Sequence, residues 1–364
     1  MASGPLVGIR VVEFAGLGPG PFAGMFLSDL GAEVIEIARE GTPPPPAFRG
    51  ESRGRKRICL NLKSADAVET CLKLIEKADL VFEGNRPGVM ERLGLGPEVV
   101  MARNPAVVYG RMTGWGQYGP LSDAAGHDLN YLAITGLLHA IGPAERPVPP
   151  LNLGADYGGG AMFLVVGMLA ALIHARTTGK GQVVDTAMTD CASYLGSLFH
   201  HFQAAGVWDD RREVNLLDGG AHFYGNYECA DGRFVAIGSI EPQFYQLLLE
   251  KTGAADRLRH KQMDKAHWPE MRAVFRDLFL TKTRDEWCAL MEGTDVCFAP
   301  VLSLSEAREH PHQVERQVFV ESGGVLQVAP APRFSETPGA IQWPPSDRTW
   351  TADDILAGWS TPRP

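Results

Sequence analysis

GIRVVEFAGLGPGPFAGMFLSDLGAEVIEI, residues 8–37, decides the fold. Residues 8–14 read as a strand, because VVEF is rich in branched side chains. Residues 21–30 read as a helix that tolerates proline in its first turn. Gly31 breaks the helix, and residues 33–37 form a second strand. The same alternation continues. Ser64 is placed to cap a helix carrying Val68, Cys71, Leu72 and Ile75 on one face, and residues 80–82 and 106–109 read as further strands. Strand, helix and strand repeated in this way predict an α/β fold with a doubly wound, Rossmann-like parallel sheet and helices on both faces.

Further along, residues 161–175 and 186–206 read as mainly helical. The pattern changes after Asp218-Gly219-Gly220. Within 223–240, two strand-like runs flank Ala230-Asp231-Gly232, a hairpin signature. Helices follow at 242–252, 268–281 and 284–293, then a proline-rich segment at 330–345 and a last helix at 352–358. The expected organisation is a large α/β domain at 1–190 and 325–364, linker helices at 191–221, and a small α+β domain at 222–324.

Composition narrows the function classes. The chain has 364 residues, 45% hydrophobic and 21% charged, enough to bury a substantial core. Acids outnumber bases by 43 to 34, for a net charge of −9, which argues against a general nucleic-acid or membrane-surface binder. Six scattered cysteines without a CxxC pair suit reduced thiols in the cytoplasm. The start lacks a secretory pattern, the end lacks a peroxisomal address, and the apolar run at 161–173 falls short of the ~20 residues of a membrane span. A soluble protein is therefore expected.

Gly16-Leu17-Gly18-Pro19-Gly20 invites a dinucleotide-binding reading, with Glu36 about 20 residues on. The third glycine is missing, and Pro19 and Pro21 remove donors a pyrophosphate would need, so a tight structural turn competes with it. Between Arg39 and Lys63 lie seven bases and only two acids, which suits a small ligand with several phosphates or a solvated loop. His127 and Asp128 in GHDLNY, Asp156 in NLGADYGGG and Glu241 in GSIEPQFY carry the remaining chemistry. For Asp128 and Asp156 helix capping is the plain alternative, and for Glu241 a favourable helix dipole. The glycine triplet 158–160 would let a ligand approach the backbone. No H-E-x-x-H, G-x-x-x-x-G-K-[ST] or G-x-S-x-G occurs, and His200-His201 and His310-Pro311-His312 lack ligand-spaced partners, so no metal is expected.

Several blocks in order resemble the family III CoA-transferase superfamily: VVEFAGLGPGPF, RGRKRICLNLK, NRPGVMERLGLGP, MTGWGQYGP, GHDLNYLAITG, PLNLGADYGGG, TGKGQVVDTAM, LDGGAHFYGNYECADG and IGSIEPQFY. Within that superfamily the chain is similar to the branch that racemises 2-methylacyl-CoA thioesters in lipid metabolism. The resemblance implies an interlocked homodimer with shared active sites, a substrate that itself contains CoA, and no metal or organic cofactor. It implies that Arg39, Lys63, Arg86 and Arg92 hold the phosphates of CoA, and that His127, Asp156 and Glu241 form the catalytic group, with Glu241 reaching in from the partner chain. The expected reaction moves a proton from one face of the α-carbon to the other through an enolate, whose oxygen meets backbone amides near Asp128. CoA transfer through an aspartyl intermediate at Asp156 is the rival within the superfamily. A non-catalytic acyl-CoA sensor and a nicotinamide dehydrogenase are rivals from outside it. One departure is His222, where these racemases carry proline, a change expected to bear on the acyl pocket; the four-proline loop after Arg39 is expected to bear on how that arginine meets phosphate.

Overall fold

The structure, a computed structural model, describes residues 3–46, 48–344 and 348–360. They form two compact units, one of residues up to Thr135, Pro150–Gly196 and from Arg316 onward, the other of Gly136–Pro149 and Ser197–Glu315. These bounds differ from the sequence division. Residues 191–221 are shared between the units, 136–149 join the second, and the chain returns to the first at Arg316.

The first unit is built on six parallel strands: β1 (Arg10–Phe14), β2 (Glu33–Arg39), β3 (Arg55–Leu60), β4 (Leu80–Glu83), β5 (Val108–Thr113) and β6 (Val183–Ala187), in the order β3-β2-β1-β4-β5-β6. Both faces of the sheet are covered, as a parallel sheet requires. Val11, Val34 and Leu80 pack against Ala23, Leu27, Leu164 and Met168 on one face. Val12, Ile35 and Val81, each one residue along, pack against Leu72, Ile75, Ile355 and Trp359 on the other. Period-two alternation between two apolar faces is why these strands read as unbroken branched runs.

Two strands of this sheet escape the sequence reading. β3 is RKRICL, whose charges are paired across the sheet: Arg55 with Glu13 at 2.8 Å and Arg57 with Glu36 at 3.6 Å. Glu13 is fully buried, and burial pushes its carboxyl up to about 7 against the pull of Arg55. β6 overlaps the start of the helical stretch expected from residue 186; that stretch is two helices, Met188–Leu195 and Ser197–Ala204, parted at Gly196, where the first unit's segment ends.

The apolar segment also differs. The helix runs from Leu153 to Thr178, 26 residues, long and apolar enough to cross a membrane, so the length argument for a short apolar run does not hold. Its place is set by packing, with Leu164, Val165, Met168, Ala171 and Leu172 buried beneath the sheet. Its first ten residues, Leu153–Met162, are a π-helix. The glycine triplet serves this packing, because a Cβ on Gly159 would stand 3.0 Å from the Ala192 amide and one on Gly160 3.0 Å from the Met188 side chain. A neighbouring helix makes the close approach there.

The second unit holds an antiparallel sheet, β7 (Tyr224–Glu228), β8 (Phe234–Gly238) and β9 (Phe298–Val301) in the order β7-β8-β9, with the expected turn at Gly232. Its helices include Pro242–Thr252, Trp268–Phe279 and Arg284–Met291, the last capped by Thr283 and Glu286 reciprocally. Arg212 holds 136–149 to this unit through the carbonyls of His139, Pro143 and Ala144 at 2.9–3.0 Å.

His222 belongs to this unit's aromatic core and is completely buried. Its ring stacks on Phe275 at 5.7 Å, Nε2 meets the Tyr245 hydroxyl at 2.8 Å, and Nδ1 has no partner among the described residues. This residue therefore has a packing role in the aromatic core. Burial pushes the imidazole down to about 4 from 6.5. Between those values the unfolded chain binds a proton that the native core refuses, so stability falls as pH drops from 6.5 toward 4. The full effect of that shift is on the order of 3 kcal/mol. In His222→Gln, thermal unfolding should lose most of this pH slope relative to wild type; an equal slope in both proteins would refute the assignment.

Candidate active site

A cavity of about 400 Å³ in the first unit is lined by Leu17, Gly18, Asn85, Arg86, Trp115, His127, Tyr131, Asp156 and Met188, among others. It lies beyond the carboxyl ends of β1, β4 and β5, where open parallel sheets bind ligands.

His127 is the residue before the helix Asp128–Ala133, in extended backbone conformation, and its amide donates to Asn130 Oδ1 at 3.1 Å. Asp128, beside it, is buried. Its carboxylate caps the long helix instead of its own: Oδ2 accepts the amides of Ala155 at 2.9 Å and Asp156 at 2.7 Å. The cap expected on the helix that follows Asp128 is thus made on another helix, and through it the loop carrying His127 is fastened to the turn carrying Asp156. Tyr131 steadies the same loop, its hydroxyl donating to the Gly126 carbonyl and its ring meeting Trp115 edge-on at 4.8 Å. Side chains on Gly114 or Gly126 would run into that ring.

Burial raises the Asp156 carboxyl above the ordinary carboxylate range, the nearby Asp128 charge adds to this, and Asn152 and His127 oppose it. A π-helical turn holds the group, a geometry frequent at functional sites. Opposite stands the glycine-rich turn. Gly18 has φ +68°, and a Cβ there would lie 3.2 Å from Asp156 Oδ2. This turn is a wall of the cavity shaped to the carboxyl, and its neighbour Tyr157 stacks on Phe22 at 4.4 Å.

A second cavity of about 310 Å³ adjoins the first at Leu17, which lines both. Arg39, Arg49, Arg55, Arg57, Pro43 and Pro45 contribute to it. The basic stretch is less free than its charge count suggests. Arg49, Arg53, Arg55, Lys56 and Arg57 pair with Glu51, Asp29, Glu13, Glu33 and Glu36. Arg39, Lys63, Arg86 and Arg92 have no ion-pair partner among the described residues. Arg86 lines the first cavity and Arg39 the second, whereas Lys63 and Arg92 line neither. Arg57 also donates to the Pro43 carbonyl at 3.2 Å, which holds the four-proline loop against this cavity.

Glu241 lies in the second unit and precedes the helix Pro242–Thr252 without using its side chain as a cap. It is exposed. The sequence missed Gly18, Tyr131 and Leu17 as site-forming residues. Only the GLGPG run offered a signal, and it pointed toward a dinucleotide.

A family model described as CoA-transferase family III matches residues 6–347. The chain is 46% identical to the alpha-methylacyl-CoA racemase of Mus musculus and 43% identical to that of Homo sapiens, each alignment covering 92% of this chain and 87% of the relative. Among solved structures, a CAIB/BAIF family protein from Brucella suis superposes with a TM-score of 0.83 at 23% identity, over 98% of this chain and 100% of that one.

The Asp128 contact yields a direct check. Asp128→Asn keeps an oxygen for the two amides and removes the charge, so Asp156 should titrate lower than in wild type when followed by carbon-13 NMR of its carboxyl. An unmoved titration would mean that Asp128 does not set the state of Asp156.

Proposed function

Since the chain belongs to CoA-transferase family III, we propose that it is an isomerase that interconverts (2R)- and (2S)-2-methylacyl-CoA thioesters by 1,1-proton transfer. The observation that carries this reading is one cavity lined by an imidazole, His127, and a carboxyl, Asp156, whose affinity for a proton is raised. Such a pair offers a base and an acid to the two faces of one carbon.

Neutral His127 removes the α-proton from one face while protonated Asp156 supplies one to the other; the roles exchange for the reverse direction. The enolate oxygen meets the amides that open the helix Asp128–Ala133, each such donor being worth about 3 kcal/mol. The thioester supplies the acidity, so the scheme calls on no metal or organic cofactor, and CoA enters as part of the substrate. The CoA phosphates sit with Arg39 in the second cavity, with Lys63 and Arg92 meeting them from outside it. The chain of the substrate then crosses Leu17 toward Arg86 and the reacting carbon.

Water must be kept from an enolate. His127 is exposed in the single chain, and the nearby Leu17, Ile134, Leu151 and Leu153 are 82%, 61%, 76% and 56% exposed. That apolar surface supports an interlocked homodimer in which Glu241 of the partner subunit orients His127 or favours its cationic form. Cytoplasmic residence, read from cysteine usage, is part of the same proposal. Transfer of CoA through Asp156 as nucleophile has no use for a second base, so His127 beside it favours racemisation.

Either epimer of a 2-methylacyl-CoA incubated in deuterated water should exchange its α-hydrogen as it epimerises; epimerisation without exchange excludes the scheme. His127→Ala and Asp156→Ala should each slow racemisation by roughly 10²–10⁴-fold while CoA binding persists. An unchanged rate in either variant removes that residue from the mechanism. Arg39→Ala and Arg86→Ala should raise KM about tenfold or more with smaller effects on kcat, measured by steady-state kinetics. A bound acyl group captured by hydroxylamine would point to transfer instead.

A further inference from the structure

Away from both cavities, His260 and His267 of the second unit lie face to face, ring centroids 3.5 Å apart and planes within 9° of parallel. Two carboxylates flank the pair. Asp264 Oδ2 faces the Nδ1 edge, 3.0 Å from His267 and 4.0 Å from His260. Glu270 Oε2 lies 3.5 Å from Nε2 of His260, on the opposite edge. Ligand atoms of His260, His267 and Glu270 all lie within 4.8 Å of one another.

A neutral imidazole carries one ring N–H and one free lone pair, so each ring can offer one ligand atom. Asp264 Oδ2 is within hydrogen-bond reach of His267 Nδ1, which favours the proton there and the lone pair on Nε2 of that ring, while Nε2 of His260 faces Glu270. A carboxylate behind a ligating imidazole is the usual outer partner at metal sites. We propose that His260, His267 and Glu270 bind a divalent transition-metal ion, with Asp264 fixing the ring tautomer and water completing the coordination. Two imidazole nitrogens and one carboxylate suit zinc or nickel, whereas magnesium and calcium prefer oxygen ligands. Metal–nitrogen distances of about 2.0–2.1 Å require the rings to splay and Glu270 to move in. The side chains are free to do so, being 29%, 39% and 62% exposed for His260, His267 and Glu270.

Between the two histidines lies Gln262, whose Nε2 donates to the carbonyls of Ser239 at 3.0 Å and Ile240 at 2.8 Å. The backbone carbonyl of Gln262 accepts from Trp268 Nε1 at 2.8 Å. An ion joining His260 to His267 closes the loop that carries Gln262, and so steadies the backbone leading into Glu241. Because it binds only the folded loop, it also raises the unfolding temperature.

The test uses the untagged full chain, stripped with a chelator and titrated calorimetrically with Zn²⁺ and, separately, with Ni²⁺. One equivalent should bind per chain and raise Tm, with no comparable binding of Mg²⁺. His260→Ala and His267→Ala should each weaken binding at least tenfold, and Asp264→Asn by about tenfold. His260→Gln and His267→Gln serve as milder companions, with circular dichroism of the metal-free forms reporting folding. No saturable binding of either ion, or wild-type affinity in the folded histidine variants, overturns the proposal.

Discussion

The candidate site depends on one buried carboxylate. Asp128 accepts the amides of Ala155 and Asp156, and in doing so joins two segments that meet only through the fold. His127 comes into the cavity because it is the neighbour of Asp128, and Asp156 because its own amide is held. The same negative charge raises the proton affinity of Asp156. One contact thus sets both the geometry of the pair and the protonation state of one member. Its cost is an Asp128 Oδ1 left buried without a partner among the described residues, a penalty tolerated where function requires it.

Close backbone approach is the second constraint. Gly159 and Gly160 let the helix Met188–Leu195 press against the turn that carries Asp156, Gly114 and Gly126 admit the Tyr131 ring, and Gly18 leaves room for the Asp156 carboxyl. Each glycine lies where a methyl group would crowd a site residue or the helix packed behind the site. The glycine content of these segments is a demand of packing around the cavity, and no nucleotide phosphate is needed to explain it. Charge is distributed with similar economy: carboxylates on β1 and β2 engage Arg55, Lys56 and Arg57 of β3, while Arg39 and Arg86, one at each cavity, have no ion-pair partner among the described residues.

Much of this was legible in the sequence, and the gaps have physical causes. β1, β2 and β4 are buried on both faces and must be apolar throughout, which makes them readable. β3 hides because its charges are neutralised by strands far away in sequence, and a basic run looks the same whether its partners are carboxylates of the fold or phosphates of a ligand. The start of the long helix hides because glycines and an aspartate fill its π-helical turns. His127, Asp156 and Glu241 stand out by their motifs, and the first two line one cavity. The stacked histidines were invisible, since residues 260 to 270 bridge a loop and a helix start without a recognisable ligand spacing.

The central claim is that the two faces of one carbon are served by different side chains. The most direct measurement follows α-hydrogen exchange of each pure epimer in deuterated water with His127→Ala and with Asp156→Ala, recording exchange and inversion separately. The account predicts that each variant stops inversion yet still exchanges the hydrogen of one epimer, and that the two variants spare opposite epimers. If both variants spare the same epimer, a single group serves both faces and the account is contradicted.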